Sequence, residues 1–303
     1  MGLLVVGSIG IDTVETPSAR RVNQLGGSAV YFAYASSLYA KTHLVSVVGK
    51  DFPKPHRQML EKRKICLEGL EVVPDGKTFR WSGKYHEDMN NRDTLEVDLN
   101  VLGTFDPKVP ASYRSLDYLF LANASPAVQH KTLKQMKKRP KFVGMDTMDL
   151  WIEIARKDLD ALLKDVDALI LNDGEARKLT DKKELLSAGK AIQKLGPKIV
   201  IIKKGEHGAL VLMGKTVFTV PAYPLEEVID PTGAGDSFAG AIMGYLTASK
   251  DVSPKSLRRA VAHGSVVASF TVQGFSLEAL KKAGKREIQT RYKGLLDLTR
   301  IPE

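Results

Sequence analysis

The chain has 303 residues, 43% hydrophobic and 26% charged, a globular balance long enough to bury a substantial core in one large domain or in one domain with a small appendage. Its net charge of +10 favours anionic ligands, yet no RNA-binding aromatic motif or zinc-finger spacing accompanies it, so no nucleic-acid partner is expected. No apolar run approaches the roughly 20 residues of a membrane helix, and the one cysteine, Cys66, excludes an internal disulfide or a cysteine-cluster metal site, so a cytoplasmic protein without membrane contact is expected.

The first ten residues, "MGLLVVGSIG", read as a buried strand over 3–7 that runs into a glycine turn rather than as a signal peptide. "SAVYFAYASSLYA" (28–40) has helical spacing, and "THLVSVVG" (42–49) is a second apolar strand. From about 70 to 104 the rhythm changes to period-two alternation with turns at Pro74-Asp75-Gly76 and Asn90-Asn91, which predicts a small antiparallel insert. Within it, "TFRWSGKYH" (78–86) places Phe79, Trp81 and Tyr85 on one face and Arg80, Ser82 and Lys84 on the other. Strands follow at 116–122, 141–146, 166–172 and 198–205, with helical segments at 127–138 and 183–196, and everything after Gly233 is mostly helical. The basic run "HKTLKQMKKRPK" (130–141) has the spacing of a solvated helix face. Strand and helix alternating this regularly predict a mainly parallel sheet covered on both faces, with its active edge at the carboxyl ends of the strands.

The stretch "DPTGAGDSF" (230–238) carries the chemistry. Gly233, Ala234 and Gly235 let the backbone turn and expose N–H groups at the start of a helix, where partial positive charge suits a phosphate. Asp236 in the first helical turn then stands beside that anion hole as a general base, so phosphoryl transfer is the expected reaction. The chain has neither the P-loop nor the H-R-D and D-F-G signatures of protein kinases.

"DPTGAGDSFAGA" and "GGSAVYFAYA" (26–35) resemble the two signatures of the ribokinase-like (PfkB) sugar and nucleoside kinases. "GSIGID" (7–12), "VVGKDF" (47–52), "NDGE" (172–175) and "KKGEHGALV" (203–211) follow as landmarks in order, so the resemblance spans essentially the whole chain. It implies a single three-layer α/β/α ribokinase-like domain over 1–303 with a mainly parallel central sheet. A small antiparallel β lid is implied at about 70–104, joined by part of 12–25, to keep water from competing for the phosphoryl group. Exposed strand edges of that lid offer a route to a homodimer.

The resemblance also implies roles. Asp236 is similar to the catalytic base, and Gly233, Ala234 and Gly235 to the anion hole. Asn172 and Glu175 resemble the N-x-x-E motif that organises Mg2+ and the ATP phosphates, mostly through water. Asp230 and Thr232 resemble ligands of a monovalent cation, K+. Lys204, Gly205 and Gly208 lie where the family passes its nucleotide, with His263 near the adenine. Asp12, Gly26, Gly27 and Ser28 match sugar-binding positions, with Trp81 added from the lid strand. Tyr31 stands where members often have Asn, and Asn123 where many have Glu. The implied activity is ATP-dependent phosphorylation of a hydroxyl on a small sugar or nucleoside. A phosphosugar acceptor is the alternative, and a non-catalytic nucleotide-binding regulator is disfavoured because Asp236, Asn172 and Glu175 are all present.

Overall fold

The computed structural model describes residues 2–300. The first half contains β1 (Leu3–Val6), β2 (Gly10–Glu15), β3 (Arg20–Gly26), α1 (Ser28–Ser36), β4 (Thr42–Gly49), α2 (Lys54–Lys62), β5 (Cys66–Val73), β6 (Phe79–Tyr85), β7 (Arg92–Asp98), β8 (Tyr118–Leu121), α3 (Pro126–Lys134) and β9 (Phe142–Asp146). The second half contains α4 (Asp149–Ile154), α5 (Arg156–Leu163), β10 (Ala168–Asn172), α6 (Asp173–Thr180), α7 (Leu185–Leu195), β11 (Ile199–Lys203), β12 (Ala209–Met213), β13 (Thr216–Val220), α8 (Ala234–Ser249), α9 (Pro254–Thr271), α10 (Glu278–Lys282) and α11 (Lys285–Leu298).

Nine strands form the main sheet in the order β13-β12-β11-β10-β9-β8-β1-β4-β5, parallel except for β12 and β13 at one edge. Strand alternation splits the core. Leu3 and Val5 face a layer built on α1, α8, α9 and α11, while Leu4 and Val6 face a layer that includes α5, α6 and α7. This is the three-layer α/β/α sandwich expected from the sequence. The chain leaves β1 toward β4 and β5 and then returns to β8 on its other side, so the order reverses between β1 and β8. Open parallel sheets bind ligands at such a crevice.

The second sheet has the order β3-β2-β6-β7. It differs from the expected 70–104 insert in two ways. Leu70–Val73 belongs to β5, an edge of the main sheet parallel to β4. Second, β2 pairs β6 in parallel, so only two of its three strand pairs are antiparallel. Part of 12–25 joins it in β2 and β3, which make up half of the small sheet. In the basic run, Lys131 pairs with Asp106, Lys138 and Lys141 with Asp117, and Arg139 with Asp167. No helix among the described residues is long and apolar enough to cross a membrane.

Glycines seat α8 against α1. A Cβ on Gly240 of α8 would collide with the Phe32 backbone of α1, and one on Gly244 would lie 2.8 Å from the Ser36 carbonyl oxygen. Backbone-to-backbone approach therefore fixes where α8 starts. Gly240→Ala should lower stability by roughly 1–3 kcal/mol through overpacking, against the roughly 1 kcal/mol that Ala gains over Gly in a free helix. Thermal unfolding checks this, and a raised Tm would contradict the close seam.

Candidate active site

The segment Asp230-Pro231-Thr232-Gly233 brings the chain to α8. Gly233 has φ +75°, left-handed backbone that favours glycine, and a Cβ there would strike the Tyr31 ring. The N–H of Ala234 bonds to the Pro231 carbonyl at 3.2 Å and that of Ser237 to Gly233 at 2.9 Å. Those of Gly233, Gly235 and Asp236 have no partner among the described residues, which leaves three donors at a helix N-terminus, where negative charge is favoured. Ala234 thus shapes the turn while its own N–H is already engaged.

Asp236 lies in that first turn, partly in contact with solvent but surrounded by protein. Burial pushes its pKa up to about 6, with Glu175 adding to the rise, while Lys203 and Arg92 oppose it. Lys203 ends β11 opposite Asn172, the last residue of β10. Its Nζ sits 2.7 Å from where a Gly235 Cβ would be, so the ammonium lies against the first turn of α8. The sequence reading chose Lys204 for this region. The structure places Lys203 in the cleft instead, while Lys204 spends its N–H on the Gly208 carbonyl at 2.7 Å in the turn that follows.

Asn172 and Glu175 form a reciprocal cap on α6. The Glu175 N–H donates to Asn172 Oδ1 and the Asn172 N–H to Glu175 Oε2, both at 2.7 Å. Burial raises the Glu175 pKa and Lys203 pulls it back. Asp146, which the sequence reading missed, ends β9 in the same acidic group. Its Oδ1 is buried without a partner, and burial with the charge of Asp236 drives its pKa well above the usual carboxylate range. Its one signal in the sequence is its place at the end of an apolar strand, as for Asn172.

A cleft of about 580 Å³ runs from Asn172, Lys203 and Gly235 past Gly205 and Gly208 to Phe238 and Val272. Gly205 and Gly208 have φ of +54° and +77° and form its turn wall. The β6–β7 turn contributes Asp88 to Asn90 to its rim. His263 does not line it. The cleft takes Ser265, Ala268 and Val272 from α9, and helical geometry turns His263 to the other side. There it stacks 4.2 Å from Tyr292 and 4.8 Å from Tyr245, with Nδ1 3.1 Å from the Tyr39 hydroxyl. Burial lowers its pKa to about 4, so it is a neutral packing residue holding α11 to α8 and α9.

Asp12, Tyr31, Asp230 and Asp236 meet between the two sheets. A Cβ on Gly26 would overlap the Asp12 carboxylate, and Gly27 has φ +96° against the Ser8 backbone. Ser28 joins the same corner, with its Oγ 3.2 Å from both Ser8 Oγ and the Asn123 carbonyl. Asp230 Oδ1 accepts the Thr232 N–H at 2.9 Å, Asp230 Oδ2 is buried without a partner, and Thr232 Oγ1 donates to the Tyr85 hydroxyl at 3.1 Å. Trp81 stands opposite Asp12 in register, with its indole lying over Gly83. Arg80 and Lys84 occupy the other face, paired with Asp51 at 3.3 Å and Glu15 at 2.8 Å.

Burial, reinforced by Asp230 and Asp236, raises the Asp12 pKa from 3.8 to about 8. The folded chain keeps this proton up to about pH 8, whereas the unfolded chain loses it near pH 4, so the carboxyl costs stability increasingly as pH rises between the two. Asp12→Asn should therefore raise Tm more at pH 8 than at pH 5, by about 3 °C or more at roughly 2–4 °C per kcal/mol. Calorimetry at both pH values checks this, and an equal change at both would show that the carboxyl carries no extra proton in the folded state.

Comparison with known proteins places this geometry in a family. The family described as pfkB family carbohydrate kinase matches residues 3–282. A cytidine kinase from Thermococcus kodakarensis is 32% identical over 251 residues, covering 81% of this chain and 88% of that protein. Among solved structures, the Burkholderia thailandensis nucleoside kinase in complex with inosine superposes with a TM-score of 0.80 at 20% identity, over 97% of this chain and 98% of the other. A candidate ribokinase II from E. coli, in complex with ATP and Mg2+, does so with 0.80 at 20% identity, over 97% and 99%. At those identities the two structures show the shared fold, and the family match with the 32% identical relative shows the membership: this chain belongs to the pfkB family of carbohydrate kinases.

Proposed function

We propose that the protein is an ATP-dependent nucleoside kinase. The observation that carries the chemistry is Asp236 in the first turn of α8, beside three unpartnered N–H groups and the Lys203 ammonium. Asp236 takes the proton of the acceptor hydroxyl, whose oxygen bonds to the γ-phosphorus as the bond to the β–γ bridging oxygen breaks and ADP leaves. The N–H donors and Lys203 take up the charge that builds on the transferred group. The apolar end of the cleft, at Phe238 and Val272, suits the adenine. Mg2+, when bound, neutralises the phosphates. Glu175 fits it, since the helix cap engages only its Oε2, and Asn172 lines the cleft beside it. The desolvated Asp230 Oδ2 fits a monovalent cation.

A nucleoside is favoured over a phosphosugar because the small sheet turns Trp81 and Tyr85 inward and keeps Arg80 and Lys84 paired on its outer face. The 32% identical relative is a cytidine kinase. The edge of β7, exposed along its length, fits pairing with a second copy of the chain. The test is ADP release across nucleosides, free sugars and phosphosugars, run in sodium and in potassium salts at equal ionic strength. A pyrimidine or purine nucleoside should give the highest kcat/KM, and potassium the faster rate. A phosphosugar as best acceptor would overturn the acceptor reading, and equal rates in both salts would remove the cation from Asp230.

A further inference from the structure

Asn123 follows β8 at the point where the strand order reverses, and its carbonyl is bound by Ser28 beside the Gly26-Gly27 corner. Its side chain is not free to choose an orientation. Trp151 Nε1 lies 2.9 Å from the amide, and an indole N–H can only donate. The atom facing it is therefore Oδ1, and the NH2 is turned the other way. One of that group's protons reaches Met148 Sδ at 3.1 Å, a weak acceptor, and the other is left as a free donor on the side away from Trp151, where Oδ1 keeps its second lone pair.

Trp151 is itself held from behind. Ile152 beside it is buried in the core, and Lys178 of α6 pairs with both Asp149 and Glu153 of α4. The indole thus belongs to an anchored helix, whereas Asn123 stands in the loop after β8.

We infer that Trp151 is a positioning residue that locks Asn123 as a hydrogen-bond donor toward the acceptor, so the site selects acceptors that present a lone pair there. A free Asn amide could flip and serve a donor or an acceptor equally. The indole removes one of these states, and a substrate N–H at this position would meet another N–H. The inference rests on the acceptor site assigned above.

Kinetics on four proteins test it: wild type, Trp151→Phe, Asn123→Ala and the double variant. Each uses the acceptor that the wild type turns over fastest. Trp151→Phe keeps the ring and removes the N–H. It should raise acceptor KM about three- to tenfold, with ATP KM and Tm nearly unchanged, and should add nothing further in the Asn123→Ala background, because coupled residues are not additive. Equal KM increases with and without Asn123, or a rise in both substrates' KM with a lowered Tm, would reduce Trp151 to a structural tether and overturn the inference. If Trp151→Phe does not fold, Asn123→Asp reads the same amide with the indole intact. A carboxylate cannot donate, so acceptor KM should rise at least tenfold, and an unchanged KM would overturn the donor role. A free sugar as fastest acceptor would refute the nucleoside reading while leaving the Trp151–Asn123 coupling measurable.

Discussion

One ammonium group among buried acids governs this site. Asp236, Asp146 and Glu175 gather near the carboxyl ends of β9 and β10 and the start of α8, and burial favours the protonated form of each. A general base must be ionised to work. Lys203 is the charge common to all three that pulls their pKa values down, and its ammonium lies against Gly235 at the start of α8. The same cation lines the end of the cleft at the start of α8, so in the proposed reaction it serves both the base and the transferred phosphoryl group.

The second shared element is the small sheet. It is strung between β1 and α1 on one side and β5 and β8 on the other, and its inner face carries Asp12, Trp81 and Tyr85 down to the main domain. The Tyr85 hydroxyl touches Thr232, 147 residues further along the chain, and so ties the small sheet to the loop that opens α8. The proposed acceptor site therefore draws on both sheets.

Much of this was legible in the sequence, for identifiable reasons. Apolar runs such as "KIVIIKKG" announce buried parallel strands, and small residues before an acid at a helix start announce an anion site. The failures are equally physical. The edge strand Cys66–Val73 alternates like the sheet that follows it, and nothing local says which sheet it joins. Lys203 and Lys204 are neighbours, and only the strand register decides which one reaches the cleft. His263 has the composition of a site residue but lies two positions from Ser265, across the helix from the cleft. Asp146 and the Trp151–Asn123 bond depend on contacts between elements, for which the chain offers no local pattern.

The most direct test of the account is the pH dependence of the rate in the wild type and in Lys203→Met, with both substrates held well below their KM so that the free enzyme is reported. The wild-type rate should fall with acid around pH 6, where Asp236 takes up its proton. In Lys203→Met the fall should move to higher pH, because the charge that favours the carboxylate is gone. A fall at the same pH in both proteins would contradict the claim that Lys203 keeps the base ionised.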